Sequence, residues 1–145
     1  LRFFTVFPLM VIPVIIYNIV AISGSAFSTA AEVRLRMDTD FMTVPMASGA
    51  DWHLTPGHAL IAASLLMLFF ELLKSTGTGR AAVMNHAFSM VLFIICLVEF
   101  LMLDAFATSV FFLIMLMTLL DVMAGFMVTI AAARRDFGVG EGFGD

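Results

Sequence analysis

Between Ala81 and Ala133 the chain holds two long apolar runs, 81–103 and 109–133, separated only by Asp104-Ala105-Phe106-Ala107-Thr108. About 20 apolar residues in helical form cross the hydrocarbon core of a bilayer, so each run is long enough to span. The break between them is too short for anything but a return, and the pair reads as a transmembrane hairpin. Acids lie in or beside both arms: Glu99 and Asp104 in and after the first, Asp121 in the second. Every other segment has to be placed against that hairpin.

Composition agrees. The chain is 62% hydrophobic and 12% charged, with a mean hydropathy of +1.09, far from the balance of a soluble domain. In lipid the backbone must satisfy its own polar groups, which leaves helices or a closed barrel. The runs exceed the length of barrel strands, so helices are expected. The net charge of −4 and the absence of a basic patch argue against nucleic acid. A single Cys96 supports neither a disulfide scaffold nor a cysteine metal site.

The expected fold is therefore an all-α integral membrane protein: a four-transmembrane-helix bundle over residues 1–137 and a flexible tail, 138–145. The spans fall at about 3–23, 56–73, 81–103 and 109–133. An outer segment of about 30 residues, 24–55, separates the first two. The first run is read as a retained span rather than a cleaved leader. Pro8 and Pro13 lie inside it and predict a kink. Tyr17 suits an interface anchor, and Asn18 a hydrogen bond to another helix.

In the outer segment, Glu32 to Asp38 alternates polar and apolar residues, which favours a short half-buried strand over a surface helix. Phe41 to Met46 is mostly apolar and is expected to dip against the bilayer. Ser48-Gly49-Ala50-Asp51 reads as a turn, and Trp52 as an interfacial residue. Thr55-Pro56 is a helix start signal, a capping hydroxyl followed by proline at the first helical position. The loop 75–80 has two glycines but lacks the lysine and hydroxyl residue of a phosphate loop.

Basic residues set the expected orientation. Arg2, Lys74, Arg80, Arg134 and Arg135 fall at one end of a four-span bundle; Arg34 and Arg36 fall at the other. The positive-inside rule then puts both termini in the cytoplasm, in what reads as a bacterial inner membrane.

Intramembrane polar residues are the candidate site. On the third span Asn85, Ser89, Cys96 and Glu99 share one face; on the second, Gly57, Ser64 and Glu71 do. Folding these spans as neighbours sets Glu71 against Asn85 or His86, and Glu99 near His58 or Asn18. Glu71 and Lys74 lie one turn apart and are placed to pair. Asp121 lies deep in its span with no basic residue at its height, so it needs a proton, a hydrogen bond or a partner from outside the chain. An intramembrane acid is a functional candidate by default, but a helix tie or subunit contact is the commoner role. His53 and His58 straddle a helix start, where surface or capping histidines are more frequent than metal ligands. His86 has no second histidine at its level to complete a haem site.

No nucleophile–base arrangement stands out, and the chain is not read as an enzyme. No cofactor is expected apart from bound lipid. The favoured reading is an accessory, assembly or stabilising subunit of a larger membrane complex, or at least an oligomer. The expected contacts are Asp121, Gly125 and Thr129 on the last span, Ala59, Ala62 and Ala63 on the second, and Phe41 in the outer segment. The alternative is a small oligomeric proton- or ion-coupled transporter that uses the intramembrane carboxylates.

Overall fold

The computed structural model describes residues 2–23, 26–77 and 79–140. Among the described residues three helices are long and apolar enough to cross a membrane: α4 (Pro56–Lys74), α5 (Arg80–Met102) and α6 (Ser109–Gly140). The fourth expected span is not one helix. The first run is broken into α1 (Arg2–Val6) and α2 (Val11–Ala21), neither of which is long enough to cross alone.

Proline chemistry explains the break. Pro8 has no N–H to give Phe4 O and its ring crowds that carbonyl. Pro13 likewise cannot donate to Leu9 O, which takes Ile12 N–H at 3.0 Å instead. Two such defects five residues apart stop one helix and start another. Pro13 then sits in the first turn of α2, where a missing donor costs little.

α6 is the central element. Half of its apolar window is buried, against 28% for α4 and 22% for α5. Both α4 and α5 pack on α6. The inward stripe of α4, Gly57, Ser64 and Glu71, is buried, and so are Asn85, Ser89 and Cys96 on α5, whereas Glu99 on the same stripe is only half-buried. They do not face each other as expected, because α6 and the broken run take up the space between them. At Gly57 a Cβ would press on Met37 O and Val110 Cγ2, both at 3.0 Å, so glycine lets α4 close on its neighbours there.

The outer segment is not a strand at 32–38. It forms α3 (Ala30–Asp38). Thr29 and Glu32 make a reciprocal capping box, with Thr29 N–H donating to Glu32 Oε2 at 2.8 Å. The buried positions, Ala30, Val33 and Met37, follow a helical period. The alternating pattern misleads at Leu35, which is 72% exposed. Asp104 Oδ2 accepts from Ala30 N–H at 2.9 Å, and Arg36 donates to Val20 O and Ser28 Oγ, which fasten α3 to the bundle.

Two small antiparallel hairpins depart from an all-α fold. β1 (Ile22–Ser23) pairs with β2 (Ala26–Phe27), and β3 (Met42–Pro45) pairs with β4 (Asp51–Leu54). The turn at 46–50 falls where the sequence signals it, with Gly49 at φ +87°. Thr55 caps α4, its hydroxyl accepting from His58 N–H at 3.2 Å.

Tyr17 is not an interface anchor. It is fully buried against Phe106 and Phe111 (ring centroids 5.3 and 4.8 Å), and its hydroxyl donates to Ala105 O at 2.9 Å. Residues 138–140, expected in a flexible tail, continue α6; the rest of that stretch, 141–145, lies outside the described residues.

Candidate functional site

The broken run generates a chemical problem that defines the site. Around Pro8 the end of α1 and the start of α2 leave carbonyls and an N–H without helical partners, the Phe4 and Phe7 carbonyls at the surface and the Leu9 N–H part-buried. Irregular backbone at membrane depth persists only where protein or water satisfies it. Here α4 and α5 supply the partners.

Lys74, in the last turn of α4, donates to Phe4 O and to Phe7 O, each at 2.8 Å. Phe4 O is the carbonyl that Pro8 cannot serve. Asn85 Nδ2 donates to Val6 O at 3.3 Å. Glu71 Oε2 accepts from Leu9 N–H at 2.8 Å and from Lys74 Nζ at 3.0 Å. A cation thus meets the carbonyl end of α1, and an anion the amide end of α2, the signs that exposed helix ends favour. Glu71 is wholly buried, and its charge is balanced by Lys74. Phe7 stacks on Phe88 of α5 at 4.9 Å and closes the cluster on one side.

A second buried acid completes it. Asp121 Oδ2 accepts from Ser89 Oγ at 2.7 Å, joining α6 to α5, and Asp121 lies within electrostatic reach of Glu71 and Lys74. Its side chain points into the bundle, not at an outside partner. Four buried polar atoms have no hydrogen-bond partner among the described residues: Glu71 Oε1, Asn85 Oδ1, His86 Nδ1 and Asp121 Oδ1. Three of them belong to side chains at most 2% exposed. Buried groups of this kind are where protons, water or ions are held.

The remaining candidates are scattered. Asn18 Nδ2 approaches Glu99 Oε2 at 3.4 Å and also donates to Val14 O at 3.0 Å. His58 is exposed at the start of α4 and takes no part with Glu99. His53 pairs with Asp40 at 2.9 Å beside the hairpin. Among the described residues no three metal-ligating side chains converge. His86 does not reach Glu71 by a hydrogen bond; its Nδ1 packs on Gly125, where a Cβ would overlap the ring. Gly125 is therefore filled by its own chain and is no open approach for a neighbour. Thr129 is exposed, but its hydroxyl donates to Gly125 O within α6. Ala62 and Ala63 face outward on α4, Ala59 is half-buried, and Phe41 is exposed.

Sequence reasoning paired Glu71 with Lys74 but missed that both serve the backbone of another helix. It also missed that Asp104 accepts from the first amide of α3. The signal was present in Pro8: a proline inside an apolar run frees backbone groups that some polar side chain has to meet. Comparison with protein-family models, with curated proteins and with solved structures gives no match.

Proposed function

We propose that this small helical membrane protein is an accessory, assembly or stabilising subunit of a larger integral membrane complex, with no catalytic role of its own. In this reading α1 and α2 make a fourth crossing in two pieces, spliced by Lys74, Asn85 and Glu71. The excess of basic residues at the end carrying Lys74 and Arg80 supports a cytoplasmic position for that end, in a bacterial inner membrane.

The observation that carries the subunit reading is the hairpin β3–β4. Its strands contact each other and little else among the described residues. It nevertheless displays Phe41, Met42, Met46 and Trp52, each 45–57% exposed. A two-stranded hairpin is marginal in water by itself, and its open edges and apolar side chains suit a partner's surface. The partner is another integral membrane chain whose outer face lies beside the membrane. The intramembrane carboxylates support the same reading, because Glu71 and Asp121 are engaged in holding this chain together.

Native mass measurement in nanodiscs tests it. The wild-type particle should contain a second membrane protein, and the triple variant Phe41→Ser/Met46→Ser/Trp52→Ser should lose it while remaining in the membrane. A wild-type particle holding one copy of this chain alone, across several mild extractions, rejects the reading.

The unpartnered oxygens of Glu71 and Asp121 favour a second reading, a small oligomeric proton- or ion-coupled transporter. Asp121→Asn, Glu71→Gln and Glu99→Gln, assayed in liposomes, decide it: unaltered pH-coupled uptake by all three variants excludes a coupling role for these acids.

A further inference from the structure

The polar cluster at the Pro8 break is one positive charge short. Lys74 has three N–H bonds to give, and all three are spent, on Phe4 O, Phe7 O and Glu71 Oε2. Asp121 takes one hydrogen bond, from Ser89 Oγ to Oδ2. Glu71 Oε1, Asn85 Oδ1 and Asp121 Oδ1 remain, three buried oxygens without a donor, on side chains at most 2% exposed. Two carboxylates face one ammonium, so one negative charge is uncompensated inside the bundle, where it is costly. It falls to Asp121, because Lys74 is engaged with Glu71.

A proton on Asp121 Oδ1 removes the surplus charge and turns one of the three acceptors into a donor. Water alone would supply donors and leave the charge. An alkali-metal ion would supply the charge but needs several oxygens brought to one point, and among the described residues Glu71, His86 and Asp121 do not converge as metal ligands. A way in exists. A cavity of about 170 Å³ enters from the basic end, lined by Ala82 and walled by Lys74, Asn85 and His86. His86 continues inward, its Nδ1 packed on Gly125, one turn along α6 from Asp121. We propose that Asp121 binds a single exchangeable proton, which enters from the basic end through the cavity walled by Lys74, Asn85 and His86. Hydronium in the cavity gives up the proton, an O–H bond forms at Asp121 Oδ1, and water is left behind; Oδ2 stays the acceptor for Ser89. The titratable groups around Asp121 are Glu71 and Lys74 from α4 and His86 from α5, with Cys96 of α5 beside Thr118 about one turn away. The broken run presents the Val6 carbonyl and the Leu9 N–H to this cluster. The inference deepens the transporter reading by naming the ion as a proton, and rests on that reading only for transport.

The test is difference infrared spectroscopy of the full chain in nanodiscs, with the pH stepped from alkaline to acid. Among the protonated-carboxyl bands that appear, one should be absent in Asp121→Asn. Ser89→Ala should move that band to higher frequency, because the C=O loses its donor. Exchanging sodium for choline should leave its midpoint unchanged. For the route, Ala82→Cys in a Cys96→Ala background, modified with a bulky thiol reagent, should slow the band's appearance after a rapid pH jump and keep its final amplitude. The same modification at Ala50→Cys, in the hairpin, should not slow it. Four results overturn the proposal: no band lost in Asp121→Asn; a band lost in Glu71→Gln but kept in Asp121→Asn, which puts the proton on Glu71; a midpoint that moves with sodium, which makes the cluster an alkali-ion site; or an unchanged rate after modification at position 82, which closes the route. Helical content and elution volume separate loss of the site from loss of fold. If Asp121→Asn unfolds, Ser89→Ala decides, and an unshifted carboxyl spectrum there rejects the site. Equilibrium binding is read without transport, so the band can persist where uptake in liposomes fails, and uptake without the band rejects the site but not the transporter.

Discussion

At Gly125 the need is for space, not for backbone freedom. A methyl group there would collide with the His86 imidazole, which packs on Gly125 from α5. Gly125→Ala should therefore destabilise the bundle by about 1–3 kcal/mol, the usual range for overpacking. The loss should shrink when His86→Ala is added, since the truncated side chain leaves room. Thermal unfolding of both single variants and the double variant in one detergent measures this. Equal destabilisation by Gly125→Ala with and without His86 would show that the clash lies elsewhere. The same residue illustrates how a spacing argument goes astray: Gly125 and Thr129 look like a contact for a second chain, yet one is covered by His86 and the other bonds its own helix.

Among the elements, the spliced first run makes the strongest energetic claim. Removing one member of a buried, hydrogen-bonded charge pair costs about 3–5 kcal/mol, because the survivor is stranded. Glu71→Leu should approach that range, tempered by the partial exposure of Lys74. If the carboxylate is needed because of the break, then Pro8→Ala, which restores an N–H for Phe4 O and permits a continuous helix, should soften Glu71→Leu. A coupling of about 1 kcal/mol or more in the double-mutant cycle is expected; strict additivity would separate the carboxylate from the break. In the outer segment, α3 depends on a different acid. The hydrogen bonds from Thr29 hold the Glu32 carboxyl below the usual glutamate range. A depressed folded-state value means the cap is fully effective above the unfolded pKa and is lost as pH falls through the folded one. Glu32 should titrate below an ordinary glutamate, and α3 should fray only at that lower pH. Carboxyl chemical shifts followed through an acid titration report both events, and a midpoint at or above the ordinary value would contradict the cap.

For the whole molecule the question is which way it lies in the membrane. The contacts place Leu9 beside Glu71 and Tyr17 beside Ala105, so the broken run reaches from the basic end of the bundle to the end carrying α3 and the hairpins. Single cysteines introduced at Ala50 and at Phe137, in a Cys96→Ala background, should label from opposite faces of intact membranes, Ala50 from outside. Labelling of both from the same face would refute a bundle whose α4–α6 cross three times; labelling of Ala50 only from the cytoplasm would invert the orientation.

The apolar length of 81–103 and 109–133, each interrupted by a single acid, determined by itself that this chain is helical and made for a bilayer, since so long an apolar run has no other stable use of its backbone. The start of α4 at Thr55-Pro56, the turn at Gly49 and the inward faces of α4 and α5 were equally readable, because each depends on neighbours within a turn or two. The tertiary structure alone decided how those faces meet. Ideal helices folded about a loop set Glu71 against Asn85; in the molecule the broken first run comes to both, Asn85 donating to Val6 O and Glu71 turning to Leu9, 62 residues away. Tyr17 sank from the expected interface into a ring of Phe106 and Phe111 for the same reason. A side chain's periodicity names its face, whereas its partner is set by which helix the whole chain brings to that face.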